Sequence, residues 1–85
     1  ITLNGSSAGL ADGLVIEAAN SSVQGLEIRG FTQNGILITS SNTLIEDNVI
    51  TGNTGAGVVI NSTGVNNRIT KNLIFGNTGI EIDLG

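Results

Sequence analysis

Ten charged side chains are the first candidates for chemistry in this sequence of 85 residues. Seven of them are carboxylates: Asp12, Glu17, Glu27, Glu46, Asp47, Glu81 and Asp83. Three are cations: Arg29, Arg68 and Lys71. The absence of His removes the commonest general base and metal ligand, and the absence of Cys removes disulfides and thiolate metal sites. The remaining candidate is a site in which carboxylates act together with a basic residue.

These charges do not gather into a pattern that indicates catalysis. The adjacent pair Glu46-Asp47 fits a solvated turn better than a metal site, and we expect no catalytic residue, metal or cofactor. The net charge is −4 with only three cations, so nucleic acid is a poor partner, because phosphate binding requires several clustered cations. No apolar run approaches the roughly 20 residues of a membrane-spanning helix, so no membrane insertion is expected.

A repeat in the chain indicates which elements position these side chains. Gly13, Gly35, Gly57 and Gly79 recur at one constant spacing, and each precedes an apolar, a variable and an aliphatic residue. Their period of about 22 residues is typical of a solenoid, whose units bury their apolar faces only by stacking. The apolar spacing of two and the β-branched residues predict strands. We therefore predict one module over residues 1–85, with coils starting near these four glycines.

A second strand is predicted in each unit. This second strand falls within residues 23–28, 45–50 and 69–74 of successive units. At the start of the chain, Ile1 and Leu3 match Leu26 and Ile28. The last two versions are spaced slightly further apart than the first two, so residues 61–68 hold two extra residues. The turn after Ile74 is then predicted to be two residues shorter, which would restore the regular spacing at Gly79.

Inward side chains are predicted to stack in columns. One column contains Ile16, Ile38, Ile60 and Ile82, and another contains Ile28, Ile50 and Ile74, with Leu3 at its end. Asn48 and Asn72 fall at matching positions between inward aliphatic residues, where stacked amides can hydrogen-bond along the stack. We interpret these two asparagines as a structural ladder.

The repeat described above resembles the right-handed parallel β-helix repeat of the pectate-lyase-like superfold, in which I-x-x-N-x-I, a G-N turn and G-I-x-I recur. The matching segments are IEDNVI at 45–50, ITKNLI at 69–74 and GIEI at 79–82. The resemblance implies an all-β, right-handed parallel β-helix of about three coils. The chain is also similar to repeat segments of large secreted bacterial β-helix proteins, which implies an extracellular or cell-surface location.

The resemblance says little about activity, because one fold hosts many functions. Pectate and pectin lyases of this fold use calcium-binding aspartates with a basic residue, and polygalacturonases use several aspartates with a His. Here the acids are scattered, Arg29 has no acidic trio beside it, and His is absent. We therefore expect a structural protein that is not an enzyme. The alternative is a carbohydrate-binding or lyase-like fragment of a polysaccharide-processing β-helix, against which stands the shortage of aromatic residues.

An outward apolar stripe is a candidate lateral contact surface. Val15, Leu37 and Val59 are predicted to align on the outside of three coils until Glu81 interrupts the row. An aligned apolar row marks a contact surface in some proteins. In others it reflects only the β-propensity of a strand face, and both interpretations stay open.

Both ends of the stack are predicted to expose apolar residues: Ile1 and Leu3 at one end, and Ile80, Ile82 and Leu84 at the other. Residues 79–85 of one copy and 1–12 of the next together supply most of one coil, and only part of one turn is missing. This complementarity predicts head-to-tail stacking, which does not close on itself and generates a filament. The other possibility is that flanking β-helix coils of a longer protein cover these ends, and a start at Ile1 fits a processed product or an excised piece.

Overall fold

The computed structural model describes residues 1–61 and 64–84, which form a parallel β-solenoid of about four turns. Its strands are β1 (Thr2–Asn4), β2 (Leu14–Ile16), β3 (Ser22–Gln24), β4 (Glu27–Arg29), β5 (Ile36–Ile38), β6 (Leu44–Glu46), β7 (Val49–Thr51), β8 (Val58–Ile60), β9 (Arg68–Thr70), β10 (Leu73–Phe75) and β11 (Ile82–Asp83). The predicted solenoid of about 22 residues per coil is confirmed, with about four turns instead of three.

Each full coil contributes one strand to each of three parallel sheets. Sheet A has the order β1-β4-β7-β10, sheet B the order β11-β8-β5-β2, and sheet C the order β3-β6-β9. The sequence predicted only two strands per coil, and this was wrong. The predicted second strand is divided by one residue with a positive φ angle: Gly25 (74°), Asp47 (59°) or Lys71 (56°).

Two further corners of the coil are made in the same way. The residues with positive φ angles are Asn20, Asn42 and Asn66 before sheet C, and Gly30, Gly52 and Gly76 after sheet A. Gly and Asn populate this left-handed region more readily than other residues, so the sequence supplies the bend at each corner. A single left-handed residue turns the chain, and the strands between corners are short.

The interior is filled by aliphatic columns. Leu3, Ile28, Ile50 and Ile74 are paired in register along sheet A, as predicted. In sheet B, Ile38 is fully buried between its predicted neighbours on β2 and β8, while the adjacent Leu37 is only half-buried. The predicted inward and outward faces of these strands are therefore correct.

The register of the last strand differs from the prediction. β11 pairs Ile82 with Val58, so Ile82 does not extend the column of Ile60, and the wider spacing of the preceding coil persists. The turns at 52–57 and 76–81 have equal length, and the backbone N–H of Gly79 donates to the carbonyl of Gly55 at 2.9 Å. The repeated Gly-Asn-Thr-Gly segment sets this alignment. Glu81, and not Gly79, therefore follows Gly13, Gly35 and Gly57 in their column.

Candidate functional site

The charged side chains do not form a cluster in the part of the chain that the structure describes. Residues 1–61 and 64–84 contain neither a cavity nor a group of three His, Cys, Asp or Glu side chains suited to a metal ion. The Nζ of Lys71 lies 3.9 Å from a carboxylate oxygen of Glu46 on the surface. These same residues include no helix long and apolar enough to cross a membrane. Two other features of these residues are the hydrogen-bonded asparagine ladders and the exposed ends of the stack.

Asn48 and Asn72 lie one above the other at the corner between sheets C and A. Asn48 is 1% exposed, and its Nδ2 donates to the Oδ1 of Asn72 at 3.1 Å. The Oδ1 of Asn72 also accepts from the backbone N–H of Asn48, and the Oδ1 of Asn48 accepts from that of Leu26. Asparagine thus connects successive coils where the turn interrupts the strand ladder.

A second buried ladder was not predicted from the sequence. Asn53 lies under Asn77, and the Oδ1 of Asn77 accepts from the backbone N–H of Asn53 at 3.0 Å and from its Nδ2 at 2.9 Å. The Oδ1 of Asn53 in turn accepts from the backbone N–H of Phe31. The repeated segment Gly-Asn-Thr-Gly contained the signal, because each asparagine follows a corner glycine, as Asn48 follows Asp47.

The third corner carries a shorter version of the same arrangement. The Oδ1 of Asn67 accepts from the backbone N–H of Thr43, and its Nδ2 donates to the carbonyl of Ser40. All three corners therefore use the residue after the left-handed position to connect two coils. The asparagine side chains hydrogen-bond to backbone groups and to one another. These bonds connect neighbouring coils at the corners, which is a structural role.

The predicted lateral stripe is present on the outer face of sheet B. Val15 pairs with Leu37, and Leu37 pairs with Val59, so the three side chains form one row. Val15 is 50% exposed, whereas Leu37 and Val59 are half-buried. The row is ended by Asp83, which pairs with Val59, and not by Glu81 as predicted.

The two ends of the stack expose the apolar side chains that the sequence assigned to them. At the first end Ile1 is exposed and Leu3 is half-buried over the core. At the other end Ile80, Ile82 and Leu84 are exposed, beside the open edge of β11. We call these the N-terminal face (β1, β2 and β3) and the C-terminal face (β9, β10 and β11).

The fold agrees with a comparison against protein families. A family model described as right handed beta helix region matches residues 1–85, which is the whole chain. Comparisons with curated proteins and with solved structures give no match. On the evidence of this match and of three parallel sheets wound into coils, the chain belongs to the right-handed beta helix family.

Proposed function

We propose that this chain is a non-catalytic structural module that stacks coil on coil with β-helix partners. It does so either head-to-tail with copies of itself, forming a filament, or as part of an extracellular stalk or cell-surface protein. The observation that carries the proposal is the open parallel edge of every sheet, with β1, β2 and β3 on one face and β9, β10 and β11 on the other. Open edges of this kind template the addition of further strands.

The strand order makes the two faces complementary in two of the three sheets. In a head-to-tail junction, β1 of the next copy extends sheet A beyond β10, and its β2 extends sheet B beyond β11. In sheet C, one strand position between β9 and β3 of the next copy is left unfilled. The junction therefore differs from a continuous coil by one short strand, which is the part of a turn that the two chain ends do not supply.

Apolar burial supplies the driving force for this junction. In this junction Leu3 of one copy continues the column of Ile74 in sheet A, and Leu14 continues the column of Ile82 in sheet B. The exposed residues Ile1, Ile80 and Leu84 lie at the same two faces. Apolar surface removed from water contributes about 25 cal/mol per Å². The contact is heterologous, since each copy uses two different faces, and repeating it generates a filament.

The test is the state of assembly, measured by light scattering and electron microscopy over a concentration series. Leu3→Lys and Ile82→Lys each put a charge on one face and are expected to abolish elongated assemblies, while the circular dichroism of the coils persists. The matched control is Leu37→Lys, which alters the lateral stripe on the inner strand β5 and is expected to leave end-to-end stacking intact. A wild type that stays monomeric at high concentration, with fast amide exchange in β1 and β10, would count against a filament of the wild-type chain.

A second candidate function is binding of an acidic polysaccharide to the outer face of sheet A. Arg29, Thr51 and Phe75 are adjacent there in register, and Phe75 is 48% exposed. An exposed aromatic ring packs on sugar rings, and a guanidinium two strands away, about 10 Å, suits a carboxylate. Binding and cleavage assays with acidic polysaccharides, with and without calcium, test this function. Equal binding by wild type and Phe75→Ala would count against it.

A further inference from the structure

We propose that Glu81 is a gate on the C-terminal face: its side chain, from the Cβ atom outward, stands where the next coil must pack, so this residue opposes the addition of a further coil. The inference rests on the proposed coil-on-coil stacking and concerns its control. Two independent features of Glu81 support it, one steric and one polar.

The steric feature is the column that Glu81 occupies. A Cβ atom built on Gly57 would lie 2.5 Å from the Cγ2 of Ile74 and 2.6 Å from the carbonyl oxygen of Glu81. A Cβ atom on Gly35 would meet the same surroundings one coil earlier, at 2.6 Å from the Cγ2 of Ile50. The column therefore excludes side chains wherever another coil lies on it.

Glu81 is the fourth member of this column and carries a full side chain. Its carbonyl accepts from the backbone N–H of Val58 at 3.0 Å, as the carbonyl of Gly57 accepts from that of Ile36 at 2.9 Å. In a head-to-tail junction, Leu3 of the next copy takes the place that Ile74 has beside Gly57. The side chain of Glu81 then points at Leu3 and at the backbone of the next copy's Gly13.

The polar feature is a hydrogen bond that closes the ladder of Asn53 and Asn77. The Nδ2 of Asn77 donates to Oε1 of Glu81 at 2.7 Å. One coil earlier, the Nδ2 of Asn53 donates to the Oδ1 of Asn77 at 2.9 Å. The carboxylate of Glu81 thus accepts from the amide group at which the ladder ends, and a charged acceptor makes a stronger bond than the neutral amide oxygen one coil earlier.

Together these features make the C-terminal face resist stacking. An incoming coil has to shift around the Cβ atom of Glu81, which side-chain rotation does not move, and to break the bond of Glu81 to Asn77. Neither cost applies when residue 81 is glycine. Glu81→Gly is therefore expected to lower the concentration for half-maximal association by at least tenfold, which corresponds to about 1.4 kcal/mol.

The experiment compares wild type, Glu81→Gly and Asp47→Gly by sedimentation velocity over one concentration series. Asp47→Gly is the matched control, because it removes the same charge at a corner with a φ angle of 59°, where the first coil already has Gly25. Circular dichroism checks the fold of each variant. Hydrogen exchange of β10 and β11 reports whether association covers the C-terminal face.

The expected result is that Glu81→Gly associates at least tenfold more readily than both other proteins, with slowed exchange in β10 and β11. The double variant Leu3→Lys with Glu81→Gly is expected to return to the monomer. If wild type associates as readily as Glu81→Gly, the gate is refuted and stacking stands. If neither associates at the highest concentration, both the stacking and its gate are refuted.

Discussion

Replacing Asn48 by alanine deletes a side chain that is 1% exposed and makes four hydrogen bonds. Its Oδ1 accepts from the backbone N–H of Leu26, and its Nδ2 donates to the carbonyls of Val23 and Glu46 and to Asn72. Alanine cannot replace these partners. The variant therefore leaves several backbone groups without their hydrogen bonds inside the corner.

The magnitude follows from these losses. An unsatisfied buried donor or acceptor costs about 1–3 kcal/mol, and two are counted here at the lower part of that range, since Leu26 and Val23 are only half-buried. The void left by the amide adds about 1 kcal/mol. We predict a total loss of about 3–5 kcal/mol. A chain of 85 residues is expected to have a free energy of unfolding of about 4–13 kcal/mol, so this loss is a large share.

Urea denaturation followed by circular dichroism measures the loss, with linear extrapolation of the free energy of unfolding. The matched control is Asn42→Gly at an exposed corner with a φ angle of 59°, where glycine is well accommodated; its effect is expected to stay within about 1 kcal/mol. If Asn48→Ala loses no more than the control, the asparagine ladder does not hold the coils together.

The remaining predictions concern packing and corners. Ile38→Ala should lower the free energy of unfolding by about 2–5 kcal/mol, and Leu37→Ala by less than about 1.5 kcal/mol; equal losses in thermal denaturation would contradict the strand register. Gly35→Ala should cost about 1–3 kcal/mol or more, because its methyl group would lie 2.6 Å from the Cγ2 of Ile50. Lys71→Gly should be neutral or stabilising in urea, because it removes a left-handed lysine at the expense of a surface ion pair worth at most about 1 kcal/mol. A loss of more than about 1 kcal/mol would show that the ion pair of Lys71 and Glu46 contributes more to stability than a surface pair is expected to.

The aliphatic spacing made most of the fold predictable from the sequence. Ile28 and Ile50, or Leu37 and Ile38, could be assigned to the inside or the outside because side chains alternate along a strand and only one face packs on the core. The constant spacing of the glycines then required stacked coils, because no single coil buries its apolar face. These inferences use local periodicity, which the sequence states directly.

The corners and the register of the last strand, β11, were harder to predict, because they depend on backbone geometry between coils. The break at Asp47 interrupts a segment whose apolar residues still suggest one strand, and only its positive φ angle separates β6 from β7. At the C-terminal end two motifs gave different alignments. The glycine repeat matched Gly79 with Gly57, whereas the Gly-Asn-Thr-Gly repeat matched Asn77 with Asn53 and so placed the last turn two positions further along. The side chain of Asn77 is buried and accepts from the backbone N–H of Asn53 in the preceding coil. The chain adopts the alignment given by the Gly-Asn-Thr-Gly repeat.

The ladders also give the coil stack a direction. At the corners, each asparagine oxygen accepts from the coil that precedes it, so the backbone N–H groups of Leu26 and Phe31 depend on Asn48 and Asn53 of the second coil. The first coil can therefore carry apolar side chains at these positions. The column of Asp12 runs the other way, since its Oδ1 accepts from the backbone and side-chain amides of Asn34 in the coil that follows.

This direction predicts where damage in one coil is felt. A substitution at Asn72 or Asn77 removes the acceptors for the N–H groups of Asn48 and Asn53, so it should weaken the second coil more than the third. Hydrogen exchange can measure this directly: in Asn77→Ala the amide of Asn53 should exchange faster, while the amides of β1 and β2 should be unaffected. Equal acceleration in all coils would instead indicate that the stack opens as one cooperative unit and that the ladder has no local effect.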